Sequence, residues 1–152
     1  MRRLSICLVT TCLVALAAGS AATAKHGGVM CVLTTQLNAK NETPGTASTA
    51  TGHVQVKVWN DGTLSFKTQI FNPGHETFVA GHVHQAPVGV PGPIVVPLFG
   101  GPATTASHIK QSGVATPNAG TTGAALCQNP GAYYVNYHTT VFPGGAIRGQ
   151  LR

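Results

Sequence analysis

Acidic residues are scarce in this sequence. Nine lysines and arginines stand against only three aspartates and glutamates, and charged residues make up 8% of the chain. A glycosidase needs two carboxylates that flank one sugar bond, and these scattered acids do not suggest such a pair. The sequence also lacks the Gly-x-Ser-x-Gly elbow of α/β-hydrolases and both glycine-rich phosphate motifs. Hydrolase chemistry of these types and nucleotide binding are therefore unsupported.

The sequence also has no cluster of basic residues, and it has no methionine near its C-terminus. The lysines and arginines are scattered along the chain without a stripe or run, which argues against a nucleic-acid partner. Weak attraction to anionic extracellular polymers stays open. A blue-copper site usually needs a methionine close to its Cys and His ligands, and the last methionine is Met30.

The N-terminus has the pattern of an export signal. Arg2 and Arg3 precede an apolar stretch over residues 4–18, and Ala22-Thr23-Ala24 offers the small residues that signal peptidase prefers. The apolar stretch is too short for a transmembrane helix, and no later segment approaches that length. We expect residues 1–24 to be a cleaved signal peptide, with the mature protein secreted or periplasmic and without a membrane span.

Two cysteines, Cys31 and Cys127, remain after the predicted cleavage. In an oxidising compartment such a pair forms a disulfide by default, and two buried thiols are the alternative. A bridge across so long a loop would contribute about 4–5 kcal/mol to stability in the chain-entropy model.

In the rest of the chain, apolar and polar residues alternate as they do in β-strands. Val54, Val56 and Val58 alternate with polar residues, and Asn60-Asp61-Gly62 then provides a tight turn, which predicts a hairpin. Weak periodicity over residues 100–123 predicts a long excursion, and after the leader no segment has the caps and sustained 3.6-residue period of a helix. We predict one all-β domain, an antiparallel β-sandwich or flattened barrel with Greek-key-like connections and about seven or eight strands.

Three histidines form the candidate site. His82 and His84 flank Val83, so in a strand their side chains share one face, roughly 7 Å apart. His138 lies in a second predicted strand over residues 133–142. If the two strands are neighbours, three imidazoles can bind one copper or zinc ion and leave a position open. The alternative is that these rings hydrogen-bond the backbone of the surrounding Pro- and Gly-rich loops.

Four segments together suggest a family. They are Asn41-Glu42-Thr43-Pro44, His82-Val83-His84 running on to Gly92-Pro93-Ile94-Val95, Tyr134-Val135-Asn136-Tyr137-His138-Thr139, and Ile147-Arg148-Gly149-Gln150-Leu151. In this order they resemble the CHRD domain, named from chordin and widespread in exported bacterial proteins. The resemblance covers residues 37–152, with residues 25–36 as an N-terminal segment and first strand. It implies an extracellular β domain. Ala146 departs from the family, which usually has an acidic residue before Ile-Arg-Gly.

Glu42 and Arg148 are a second candidate pair. With so few acids available, a partly buried Arg148 has few possible partners, because an unpaired buried guanidinium is costly. We predict a structural ion pair between them. The alternative is that Arg148 binds an anionic ligand.

The sequence favours a non-enzymatic function. Gly81-His82-Val83-His84 is similar to the copper-ligand strand of copper/zinc superoxide dismutases, but no Asp follows Asp61 to complete a zinc site. The preferred interpretation is a binding or structural module for an unspecified extracellular ligand, holding one copper or zinc ion. A superoxide-dismutase-like copper oxidoreductase and adhesion to an anionic extracellular polymer are the alternatives.

Overall fold

The computed structural model describes residues 27–152, so the predicted signal peptide and its cleavage site lie outside the described residues. Strands make up most of this part of the chain. They are β1 (Val29–Asn38), β2 (Thr51–Trp59), β3 (Leu64–Phe71), β4 (Phe78–Gln85), β5 (Ile94–Phe99), β6 (His108–Ala115), β7 (Tyr133–Thr139) and β8 (Ile147–Gln150).

All eight strands belong to one antiparallel sheet, in the order β5-β4-β7-β8-β1-β2-β3-β6. The sheet curls until its edge strands β5 and β6 approach each other. Asn118, just after β6, donates from its backbone N to Val95 O at 2.8 Å and from its Nδ2 to Ile94 O at 3.1 Å, both on β5. The result is a nearly closed, barrel-like sheet, which confirms the all-β prediction.

The core fills the inside of this sheet. Val54, Val56 and Val58 are fully buried while their neighbours along β2 face outward, as their alternation predicts. The predicted hairpin between β2 and β3 is present.

β7 differs from β2, since all seven of its residues are buried. Tyr133, Val135 and Tyr137 join the core, so Tyr134, Asn136 and His138 lie on the outer face of the sheet. They are buried because loops cover this part of the outer face.

Cys31 and Cys127 form a disulfide across a sequence separation of 96, which confirms the predicted pairing. The bond joins β1 to a short helix, α1 (Gly123–Gln128), whose first turn is capped by Thr122 Oγ1 accepting from Ala125 N. α1 was not predicted from the sequence, because its six residues are too few to show a sustained helical period. Across residues 27–152, no helix is long and apolar enough to cross a membrane.

The interpretation of residues 100–123 as a long excursion was wrong, because the segment contains β6. β6 pairs with β3 along its whole length. Its inward-facing positions include Gln111 and Gly113, so they do not form an apolar series. A Cβ on Gly113 would lie 3.1 Å from the Phe66 ring. Phe66 thus fills the volume that a side chain of β6 would otherwise occupy.

Candidate metal centre

The pairing of β4 with β7 brings the three predicted histidines together. His84 lies opposite Tyr134 and His82 opposite Asn136, so His138 is the diagonal neighbour of His82. The ring centroids are 5.0 Å apart for His82 and His138, 5.7 Å for His82 and His84, and 5.9 Å for His84 and His138. One ring nitrogen from each residue lies within 4.8 Å of the others.

Backbone carbonyls of two loops orient two of the rings. His84 Nδ1 lies 2.9 Å from Gly92 O, and His138 Nδ1 lies 3.0 Å from Pro143 O. Because a carbonyl can only accept, each Nδ1 carries the proton and each Nε2 keeps its lone pair. His84 Nε2 is buried without a hydrogen-bond partner. The backbone hydrogen bonds of the loop-backbone alternative are therefore present at Nδ1 of these two rings.

Burial keeps these imidazoles neutral. It lowers the pKa of His82 to about 4, with the neighbouring His138 and His84 lowering it further. Burial is also the main cause that lowers the pKa of His84 and of His138, and their hydrogen bonds to Gly92 and Pro143 oppose it. Near neutral pH the rings are uncharged, which is the form that binds a metal ion.

The spacing of the nitrogens suits a metal ion in part. His82 Nδ1 lies 3.1 Å from His138 Nε2. This is close to the ~3.3 Å between two nitrogen ligands that bind a tetrahedral zinc at about 2.0 Å. The three ring nitrogens as a set lie within 4.8 Å of one another, which is wider than this ligand spacing. Binding would therefore require a small closing movement of the rings.

Tyr134 packs against His84 and supports the site. Its ring stacks on the His84 imidazole at 4.9 Å and 12°, and Arg148 Cζ lies 4.1 Å from its centroid. Its hydroxyl accepts from Gly92 N at 3.1 Å, and Arg148 Nη2 donates to Val90 O at 3.3 Å. These contacts hold the loop over residues 86–93 against the sheet, which positions the carbonyl that orients His84.

Glu42 and Arg148 line one cavity, of about 290 Å³. Glu42 is buried and its Oε1 has no hydrogen-bond partner. Burial raises the pKa of Glu42 to about 7, and the nearby charge of Arg148 opposes that rise without cancelling it. The direct ion pair between the two stays a prediction.

Gly92 and Pro143 are the site residues that sequence reasoning missed. Both act through a backbone carbonyl, so their side chains carry no signal of the role. Asn136, which lies opposite His82 on the outer face of β7, is buried with an unpartnered Oδ1. A Cβ on Gly145 would lie 2.8 Å from that oxygen and 2.7 Å from Glu42 Oε1, so the site excludes a larger residue there.

Fold and site together define a disulfide-linked, all-β domain with a cluster of three histidines under two loops. The family model of the CHRD domain matches residues 33–151. The chain therefore belongs to the CHRD domain family, as the resemblance implied. No curated protein and no solved structure matches it at a significant level.

Proposed function

We propose that this protein is an exported, non-enzymatic binding module that holds one copper or zinc ion through His82, His84 and His138. The observation that carries the proposal is the buried Nε2 of His84, which lacks a hydrogen-bond partner beside two other imidazoles. A buried polar atom without a partner costs about 1–3 kcal/mol. A metal ion would satisfy that lone pair.

The surroundings of the rings support the same proposal. Metal-binding histidines usually donate their second ring nitrogen to a carbonyl or carboxylate, which fixes the tautomer. Gly92 O and Pro143 O accept from His84 and His138 in this manner. Imidazole ligands suit copper and zinc. When bound, the ion would link β4 to β7.

The disulfide supports the predicted compartment. Cys31 and Cys127 are bonded, and disulfides persist in oxidising compartments. With the predicted signal peptide over residues 1–24, this supports a secreted or periplasmic location.

Metal analysis of exported protein tests the proposal. Metal-free protein is titrated with zinc or copper(II), dialysed and analysed for bound metal. The same is done for His82→Ala/His84→Ala and for a control, His53→Ala/His108→Ala, in which both histidines are exposed. We expect about one ion per chain in wild type and control and none in the site variant. Equal, near-zero metal in all three proteins would refute the site.

The superoxide-dismutase-like alternative makes a different prediction for the same sample. It requires copper-loaded protein to dismute superoxide faster than a free-copper control. Our proposal predicts no such excess rate.

A further inference from the structure

The outer face of strands β1, β2, β3 and β6 forms a second surface, on the part of the sheet that lacks the histidine cluster. Strand pairing arranges its outward residues in rows across the four strands. From one end to the other, the rows are Asn38-Thr51-Phe71-His108, Gln36-His53-Gln69-Lys110, Thr34-Gln55-Lys67-Ser112 and Val32-Lys57-Ser65-Val114. We call this surface the basic face.

Three lysines cross the basic face on a diagonal. Lys57 on β2 lies opposite Ser65, two residues before Lys67 on β3. Lys67 in turn lies opposite Ser112, two residues after Lys110 on β6. Diagonal neighbours in an antiparallel sheet are about 7–8 Å apart. The positive charges therefore form a line rather than a cluster, although they are scattered in the sequence.

No acidic residue lies on these four strands. The three acids of the chain are Glu42, Asp61 and Glu76, and all lie in connections between strands. Asp61 Oδ1 accepts from Thr63 within its own turn, and Glu76 Oε1 accepts from Ser48 Oγ at 2.7 Å. The formal charges on the basic face are therefore all positive, and they lie in three of its four rows.

The lysines border a furrow. Three shallow depressions of about 240, 190 and 230 Å³ lie side by side over β3 and β6. The first two share Gln69 and Lys110 in their walls, and the last two share Lys67 and Ser112. Their shared walls make them a row of adjoining, open depressions, a shape that fits a linear chain better than a compact molecule.

Uncharged groups beside the lysines suit a partner rich in hydroxyls. The amides of Gln36, Gln55 and Gln69 each offer donors and an acceptor. Phe71 is 49% exposed at one end of the face, and its ring centroid lies 5.2 Å from that of His108. Exposed aromatic rings provide an apolar surface for a sugar ring.

We propose that the basic face binds a linear anionic polysaccharide along the furrow. A nucleic-acid strand fits less well, because its phosphates follow one another about every 3.4 Å along the axis and it is usually contacted by arginine. The basic face has no arginine in its four rows, and its lysines are more widely spaced. The disulfide also suggests a compartment in which such polysaccharides occur. This inference is independent of the metal proposal.

Retention on immobilised polymers tests the inference. Full-length, disulfide-bonded protein is measured on dextran sulfate, on alginate and on neutral dextran at about 0.05 and 0.5 M salt. We expect binding to at least one anionic polymer, no binding to neutral dextran, and loss of binding at the higher salt concentration. Sulfate and carboxylate preference are distinguished by the first two polymers, and either preference supports the proposal.

Charge-matched variants locate the contact. Lys67→Gln and Lys110→Gln should each weaken binding about fivefold, and Lys57→Gln/Lys67→Gln/Lys110→Gln on the order of 100-fold. Lys40→Gln removes the same charge at an exposed position away from the face and should leave affinity within about twofold. Unchanged melting temperatures establish that each variant is folded. If the triple variant does not fold, the two single variants carry the test.

Three results would overturn the inference. The first is absence of retention on both anionic polymers at the lower salt concentration. The second is an equal loss for Lys40→Gln and Lys67→Gln, which would make the effect one of net charge. The third is lysine-dependent binding of a DNA strand that is tighter than that of either polysaccharide at the same salt concentration.

Discussion

His82 Nδ1 lies 3.1 Å from His138 Nε2, although 56 residues separate them in the chain. The contact exists because β4 and β7, which are distant in sequence, are neighbours in the sheet. Both rings are held near neutral charge by burial, and His138 is oriented by Pro143 O. The pairing of β4 with β7 and the Pro143 carbonyl therefore fix much of the geometry of the site.

In metal-free protein, the contribution of His82 to stability should fall as the pH falls from about 6.5 to 4. The pKa of His82 in the folded state is lowered from 6.5 to about 4, so the unfolded chain takes up this proton first. The His82 contribution is fully present above pH 6.5 and is lost towards pH 4. Urea unfolding at several pH values should show a shallower decline for His82→Asn than for wild type. Parallel pH profiles would contradict this prediction.

Glu42 should make the free energy of unfolding change with pH in the opposite direction. Its pKa is raised from 4.5 to about 7 in the folded state, so the folded protein binds this proton more tightly than the unfolded chain. Its contribution is present below about pH 4.5 and is lost as the pH rises through 7. Glu42→Gln cannot ionise, so we expect it to be more stable than wild type at pH 8, by about 1–3 kcal/mol, with a smaller difference at pH 5.

The same Glu42→Gln comparison tests the predicted ion pair with Arg148. A lower melting temperature for the variant at pH 8 would show that the ion pair outweighs the cost of burying the carboxylate. It would contradict the pH dependence expected here.

Removal of the disulfide should destabilise the protein. Cys31→Ala/Cys127→Ala opens a loop with a sequence separation of 96, and we expect the free energy of unfolding to fall by about 4–5 kcal/mol. Urea unfolding of the variant, and of reduced wild type as a matched sample, measures the loss. A change below about 1 kcal/mol would mean that the unfolded chain is not appreciably constrained by the bond.

Gly92→Ala should weaken metal binding although position 92 provides no ligand. A Cβ there would lie within van der Waals overlap of Gln85 O, so the loop must move and its carbonyl must leave His84. Loss of such an orienting partner typically costs about 10–100-fold in metal affinity. Gly100→Ala is the control, because a Cβ at Gly100 contacts nothing within 4 Å. Titration calorimetry with zinc should separate the two variants, and equal affinities would contradict the role of the loop.

The sequence predicted the strands that have regular alternation. Val54, Val56 and Val58 specify β2, because the type of each residue reflects whether its own side chain faces the core. Asp61-Gly62 specifies the turn that follows. β6 was missed because its inward side depends on a partner: Gly113 is small where Phe66 crosses from β3. Such compensation between strands cannot be derived from one segment. α1 was missed because six residues are too short for a helical period to be evident.

The sequence predicted the three histidines of the candidate site but not the contacts that orient them. The two histidines on one strand and the third on another were identified by residue type and spacing, and their convergence required only that β4 and β7 pair. The carbonyls of Gly92 and Pro143 were not predictable, because every residue has a carbonyl and only the loop path selects these two. The stacking of Arg148 on Tyr134 likewise depends on β8 lying beside β7.

The two hydrogen bonds from Asn118 to β5 bear on how this protein behaves at high concentration. Unpaired groups on an edge strand can recruit a strand from another molecule and start fibril growth. Here Ile94 O and Val95 O are already engaged, and Pro97 has no backbone N–H to offer. When many copies are crowded together, this part of β5 should therefore be a poor place for another molecule to add a strand.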